Sequence, residues 1–223
     1  MRNIEVSRDM LFTLKEKSFS SDLEGKYGVV FPFGNKVIKM DKFAINEIVH
    51  SKTICFNPKR NQTYDLLHDL GKKQESIRLV DFPISTLTYN GNYFGNVQIS
   101  YLNYTKMRDL ITENRLTFRF LKKHLFDTLE IIKELSDNDI EYTDLHPSNL
   151  MVNRTKTKLI DFDDSDRVQL STEAKKVNYD RMLIYIGFYQ KTIKLRNVNY
   201  DELKEYIDGI TLDSLKNGIV KTR

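Results

Sequence analysis

Apolar positions recur at three- and four-residue spacing along 117–138. Phe118, Leu121, Leu125, Leu129, Ile132 and Leu135 would line one face of the long helix this pattern predicts. Ser7 ahead of Met10, Leu11 and Leu14 predicts a capped N-terminal helix. From 26 to 40 the pattern reads strand, turn, strand. Tyr27-Gly28-Val29-Val30-Phe31 enters Pro32-Phe33-Gly34-Asn35, and Lys36-Val37-Ile38-Lys39-Met40 returns. Phe43, Ile45, Ile48, Val49 and Ile54 then recur at roughly helical spacing. Strands are expected at 77–80, 84–89 and 93–101, with Asn90-Gly91-Asn92 as a hairpin turn. After about Leu102 the pattern turns helical, with helices expected at 106–112, 117–138, 172–195 and 200–208. The chain therefore reads as a β-rich part, 1–102, followed by a helical part, 103–223, with the boundary near 100–104.

Between the helices at 117–138 and 172–195 lies a polar loop and a short hairpin. The loop is Asp144-Leu145-His146-Pro147-Ser148-Asn149. Leu150-Met151-Val152 and Lys158-Leu159-Ile160 read as paired strands around the polar turn Asn153-Arg154-Thr155-Lys156, and Asp161-Phe162 follows. A hairpin of that length would return Asp161 to the same end as Asn149. Phosphoryl transfer from a nucleotide needs such a set: one carboxylate orients the attacking hydroxyl, while an amide oxygen and a second carboxylate hold Mg²⁺ on the phosphates.

These residues resemble the protein-kinase-like superfamily, whose catalytic loop reads His-Arg-Asp with an Asn five residues on and whose metal strand ends in Asp-Phe-Gly. Here the two motifs read Tyr142-Thr143-Asp144 and Asp161-Phe162-Asp163. The resemblance implies that Asp144 is the catalytic base and that Asn149 and Asp161 are magnesium ligands. It covers about residues 20–195, with the strong motifs within 140–165. It implies an α+β, two-lobed kinase-like fold with a small antiparallel β-rich N-lobe and a truncated helical C-lobe.

The same resemblance assigns the nucleotide contacts. Leu23-Glu24-Gly25-Lys26-Tyr27-Gly28-Val29-Val30 is similar to a glycine-rich loop. Gly25 and Gly28 match its second and third glycines, Val30 matches the valine over the base, and Leu23 replaces the first glycine. Glycines let backbone amides approach phosphate oxygens. Val37-Ile38-Lys39 resembles the strand that ends in the phosphate-contacting lysine. A lysine among inward-facing aliphatics needs an anion, and Glu47 is the expected carboxylate partner. The run from Val97 to Leu102 resembles the strand leading into the adenine-binding hinge, which implies Tyr101 and Leu102 as backbone contacts to the base. Met107-Arg108-Asp109-Leu110-Ile111 resembles the short helix that follows.

Three positions near these motifs depart from protein kinases, and a fourth matches them. Thr143 stands where regulated enzymes carry the Arg that grips a phosphorylated activation loop, so activity is expected not to need that phosphorylation. His146 stands where Ser/Thr kinases carry Lys. It matches aminoglycoside phosphotransferases and choline-kinase-like enzymes, and would either bond a phosphate or the base or tie the loop backbone together. Asp163 replaces the Gly and would add a metal contact or cap a turn. Asp180 resembles the buried helical Asp that accepts catalytic-loop N–H groups, or serves as an N-cap. Only nineteen positions separate Asp161 from Asp180, so a long activation segment has no room.

The expected function is an ATP- and Mg²⁺-dependent protein Ser/Thr kinase of minimal core type. The alternatives are a small-molecule kinase acting on an aminoglycoside, choline or sugar, and a nucleotide-binding pseudokinase working through a protein partner. AMP transfer is a smaller possibility. Nucleotide and a protein acceptor are the expected partners.

Composition changes this picture only at its edges. A chain of 223 residues, 40% hydrophobic and 30% charged, is ordinary for a globular protein. The net charge of +4 is spread over pairs such as Lys72-Lys73 and Lys122-Lys123, so no nucleic-acid partner is expected. No apolar run reaches the roughly 20 residues that span a bilayer, and the first residues carry no signal-like apolar core. The lone Cys55 forms no internal disulfide and fits a reducing cytoplasm, which could be that of a host cell.

Overall fold

The computed structural model describes residues 1–19, 28–51 and 53–192. The chain forms an α+β structure that divides into two compact units. The first takes the described residues of Met1–Glu75, Asp81–Tyr101 and Phe162–Ser165; the second takes Ser76–Val80, Leu102–Asp161 and the described chain from Asp166 onward. The division is thus not one cut, because two short segments exchange sides. Gly25 and the helix expected at 200–208 lie outside the described residues.

The first unit holds strands β1 (Arg2–Glu5), β2 (Gly28–Phe33), β3 (Lys36–Asp41), β4 (Ser85–Tyr89) and β5 (Asn92–Ile99), with helices α1 (Arg8–Phe19), α2 (Lys42–Ser51) and α3 (Pro58–Lys73). The strands form one sheet in the order β1-β4-β5-β3-β2. The sheet is mixed: β1 runs parallel to β4, and the other neighbours are antiparallel. This corrects the all-antiparallel expectation. β1 carries no apolar alternation to announce it and is specified by its partner, with Arg2 opposite Ser85 and Glu5 opposite Thr88. The β4–β5 hairpin turns as expected, with Asn90 at φ 50° and Gly91 at φ 72°, both in the left-handed region such two-residue turns require.

The two faces of this sheet differ. Val29, Phe31, Ile38, Met40, Leu87, Phe94 and Val97 form a dry core with Leu11 and Leu14 of α1 and Ala44, Ile45 and Ile48 of α2. The opposite face is polar. Cross-strand partners share a face, so the register aligns Val30, Lys39, Asn96, Thr86 and Asn3 in one row. Helix α3 packs on this side through Tyr64, whose ring lies 6.0 Å from that of Tyr93. Its start is well capped: Asn57 accepts from the Lys59 and Arg60 N–H groups and Pro58 opens the first turn. The hydrophobic pattern does not reveal α3, because its buried stripe opens with Arg60 and Thr63 before reaching Leu67 and Leu70.

The second unit holds β6 (Thr105–Lys106), α4 (Met107–Thr112), α5 (Phe118–Asp137), β7 (Ile140–Tyr142), β8 (Leu150–Val152), β9 (Thr157–Leu159), β10 (Val168–Leu170) and α6 (Ala174–Thr192). Helix α5 follows the predicted stripe: Leu121, Leu125, Leu129, Ile132 and Leu135 are buried, and Thr117 caps it by accepting from the Phe120 N–H. It packs against α6, which buries Tyr179, Met182, Tyr185, Ile186 and Tyr189. Strands β6, β8 and β9 form a small sheet, and β7 pairs with β10.

The strand expected at 77–80 is absent, which is a correction. Ile77 and Val80 are buried, but the Arg78 and Leu79 N–H groups donate to the Glu134 carboxylate of α5, at 2.9 and 2.7 Å. A side chain satisfies the backbone donors that a sheet would otherwise take.

Candidate functional site

Within the second unit, β7 delivers the chain to the loop that carries Asp144. Tyr142 is fully buried and its phenol is a hub: it donates to the Ile160 carbonyl at 2.8 Å and accepts from Asn149 Nδ2 at 3.2 Å. The Asn149 amide also donates to the Asp144 carbonyl at 3.1 Å and to Asp144 Oδ2 at 3.0 Å. Asn149 Oδ1 accepts no hydrogen bond from the described residues, so the amide oxygen keeps its lone pairs for a ligand.

The hairpin closes one residue earlier than the sequence suggests, with β9 ending at Leu159. The Ile160 N–H donates to the Asn149 carbonyl at 2.9 Å, so Asn149 and the residue before Asp161 are bonded neighbours. Asp161 itself sits at φ 71°. A non-glycine residue there is strained by about 1–2 kcal/mol, and strain of this kind collects where a side chain must be aimed. The three expected residues Asp144, Asn149 and Asp161 therefore occupy one end of the β8–β9 hairpin. Asn149 and Asp161 carry the oxygen ligands that hard cations such as Mg²⁺ prefer. Among the described residues no group of three or more His, Cys, Asp or Glu gathers as a metal cluster.

His146 ties the loop backbone together, one of the two roles the sequence left open. Its Nδ1 accepts from the Ser148 N–H at 3.2 Å, capping the short 3₁₀ turn Pro147–Asn149. That bond leaves the imidazole proton on Nε2, which lies 3.5 Å from Asp144 Oδ2. On the other side, Arg167 Nη1 stands 4.0 Å from Asp144 Oδ1.

Asp180, expected to be buried and to hold the loop, is exposed on α6. This is a correction of two residues. Asn178 is the buried group: its Oδ1 accepts the Tyr142 N–H at 2.7 Å, and its Nδ2 donates to the Ile140 carbonyl at 2.8 Å and to Ser136 Oγ at 3.1 Å. An isolated Asn in a helical stretch leaves no sequence signal for such a role.

In the first unit, Lys39 is held by a carboxylate, but not by Glu47. Lys39 Nζ lies 2.6 Å from Asp163 Oδ1, while Asp163 Oδ2 accepts from Asn96 Nδ2 at 2.8 Å. Asn96 also donates to the Tyr93 phenol and accepts from Gln98, so the polar row forms a connected network around Asp163. Burial opposes the Asp163 charge, yet the Lys39 ammonium and the hydrogen bonds from Lys39 and Asn96 outweigh it and hold the carboxyl below its ordinary value. Burial, and then the negative Asp163, push the Tyr93 phenol up.

Glu47 faces elsewhere. Both of its oxygens accept from Arg60 Nη2, at 3.1 and 2.9 Å, and Oε2 also takes the Cys55 N–H at 3.2 Å. The expected Lys39–Glu47 pair is replaced because α3, unseen in the sequence, brings a buried guanidinium to Glu47. Arg60 Nε and Nη1 are buried without a hydrogen-bond partner among the described residues.

Gly28 opens β2, and a Cβ there would meet the Met40 carbonyl oxygen at 2.9 Å, so the strand pairing itself demands glycine. Val30 lies opposite Lys39. The Tyr101 hydroxyl donates to Asp81 at 2.9 Å, and Leu102 is 77% exposed.

No protein-family model matches the sequence, and a search of curated proteins finds no match. Among the described residues, no helix is long and apolar enough to cross a membrane.

Proposed function

We propose that this protein is an ATP- and Mg²⁺-dependent phosphotransferase of protein-kinase-like fold, acting on the hydroxyl of a protein Ser or Thr. The reading rests above all on the bonded pair Asp144–Asn149, with the Asn149 backbone tied to the residue before Asp161. Such a pair puts a carboxylate base beside an amide oxygen that no described residue engages.

In this reading Asp144 orients the acceptor hydroxyl and takes its proton as the new P–O bond forms. The bond from the γ-phosphorus to the bridging oxygen breaks, and ADP leaves with that electron pair. Asn149 and Asp161 would hold Mg²⁺, which supplies charge neutralisation on the phosphates. Positioning and electrostatics carry most of the rate in such transfers. Lys39 is the proposed phosphate contact. Its ammonium, at 24% side-chain exposure, is paired with Asp163. Gly28, Val30, Tyr101 and Leu102 remain proposed nucleotide contacts by resemblance alone. Glu47 is left out of the proposal, since Arg60 holds it. A cytoplasmic setting is part of the proposal.

The test is transfer of labelled γ-phosphate from ATP with Mg²⁺ to a mixture of protein and peptide acceptors. The wild-type chain should transfer phosphate, while Asp144→Asn and Asp161→Asn should each lose at least about a hundredfold, the scale of a lost base or transition-state contact. Undiminished transfer by both variants would overturn the assigned roles.

A further inference from the structure

The two oxygens of Asp144 are not equivalent. Oδ2 takes the Asn149 amide at 3.0 Å and faces His146 Nε2 at 3.5 Å. Oδ1 has no hydrogen bond from the described residues; its neighbour is Arg167 Nη1, 4.0 Å away. A separation of 4.0 Å is an electrostatic contact and not a hydrogen bond. The open side of Asp144, where an incoming hydroxyl would donate, is thus the side on which the guanidinium stands.

Arg167 is fixed in place by its backbone. Its carbonyl accepts both the Thr143 N–H at 2.8 Å and the Thr143 hydroxyl at 3.1 Å, so the residue just before Asp144 anchors it from both groups. Yet its side chain is 52% exposed, and among the described residues the guanidinium makes no hydrogen bond. A planar five-donor group held at a site and left open is suited to a carboxylate or phosphate, which it can grip with two parallel bonds. The imidazole of His146, 43% exposed and with its proton on Nε2, stands beside the other oxygen of Asp144, 3.5 Å from Oδ2.

We infer that Arg167, aided by His146, reads a negative charge beside the acceptor hydroxyl, so that the preferred acceptor is a Ser or Thr flanked by an acidic residue. This rests on the phosphotransferase reading above and adds the substrate class. Arg167 also keeps a cation near the Asp144 carboxylate, and a bound acidic side chain would share that cation without displacing Asn149.

The experiment uses the full chain, ATP with Mg²⁺, and three matched peptide sets in which Ser or Thr is flanked by Glu, Ala or Lys. The expected result is a kcat/KM for the acidic set about five- to tenfold above the neutral one, the factor that roughly 1 kcal/mol of partly exposed ion pairing supplies. The preference should shrink as salt rises from low to about 0.5 M. Arg167→Lys should retain it and Arg167→Glu should invert it toward the Lys-flanked set. A circular-dichroism melt checks that each variant is folded, and the salt series on the wild type stands without any variant. Equal rates on the three sets would overturn the inference and leave the phosphotransferase reading standing. So would an equal loss on all three in Arg167→Glu, which would assign Arg167 to Asp144 alone. No transfer to any peptide would overturn the protein-kinase reading, and this inference with it.

Discussion

Asn178, the fifth residue of α6 and wholly buried, accepts the backbone N–H of Tyr142 at 2.7 Å. Its amide donates to the Ile140 carbonyl and to Ser136, so one side chain ties β7 to both long helices of its unit. The last residue of β7 also precedes the Asp144 loop by two positions, and the loop is therefore set by a neutral amide and not by a carboxylate.

Asn178→Leu should destabilise the protein by about 2–4 kcal/mol, since it strands a buried N–H and a buried C=O at once. Asn178→Asp should recover only part of this: its oxygen can still accept from Tyr142, but a carboxylate cannot donate to the Ile140 carbonyl. Asp180→Ala, on the exposed side, should stay within about 0.5 kcal/mol of wild type. Urea unfolding of the three variants checks the ranking; an Asp180→Ala loss as large as that of Asn178→Leu would refute the assignment.

Removing the Tyr142 hydroxyl should act on geometry more than on folding. Tyr142→Phe deletes the bonds to Asn149 and Ile160 and should cost about 1–2 kcal/mol of stability. If the phosphotransferase reading holds, kcat should fall and the Mg²⁺ concentration for half-maximal rate should rise, because Asn149 is then oriented by Asp144 alone. A Mg²⁺ titration of the initial rate separates this from simple destabilisation.

Lys39 and Asp163 should behave as a pair. Lys39→Met leaves a buried carboxylate without its cation and should cost about 3 kcal/mol, while the double change Lys39→Met/Asp163→Leu should recover much of that. The Asp163 carboxyl is held below its unfolded value, so its contribution is complete above that value and fades as pH falls through the lower, folded one. Stability against pH below about 4, the ordinary carboxylate value, should therefore fall more steeply in wild type than in Asp163→Asn.

His124 sets a second acid limit. It is buried between Thr157, at 3.3 Å, and the Tyr185 hydroxyl, at 2.7 Å. Burial, then the neighbouring Lys123 charge, push its imidazole down to about 3. The unfolded chain binds this proton near pH 6.5 and the folded one does not until far lower, so stability is complete above 6.5 and is lost as pH drops toward 3. The full loss from this group is on the order of 5 kcal/mol. His124→Gln should flatten the stability profile across that window in guanidinium titrations at stepped pH.

Much of the candidate site could be read from the chain because its parts are close in sequence. Asp144, Asn149 and Asp161 span one loop and one short hairpin, and a hairpin's register follows from its turn. Likewise the stripe of α5 and the Asn90–Gly91 turn are local, and each appeared where its pattern put it. Lys39 was legible as a cation needing an anion, but not which anion. Glu47 is eight residues away and Asp163 is 124; proximity along the chain favoured the wrong one.

Periodicity and turn chemistry were sufficient for α5, for the two hairpins and for the loop that bears Asp144, since these depend on residues within a few positions of one another; they did not reveal α3. Nor did they reveal the partners of the buried polar groups: Asp163 for Lys39, Arg60 for Glu47 and Asn178 for Tyr142 each come from another element. A buried donor or acceptor takes whichever complementary group packing brings within 3 Å, because leaving it unpaired costs more than any local preference supplies. That choice is made by how the sheet, α3 and α6 pack, and a linear pattern of apolar positions carries no record of it.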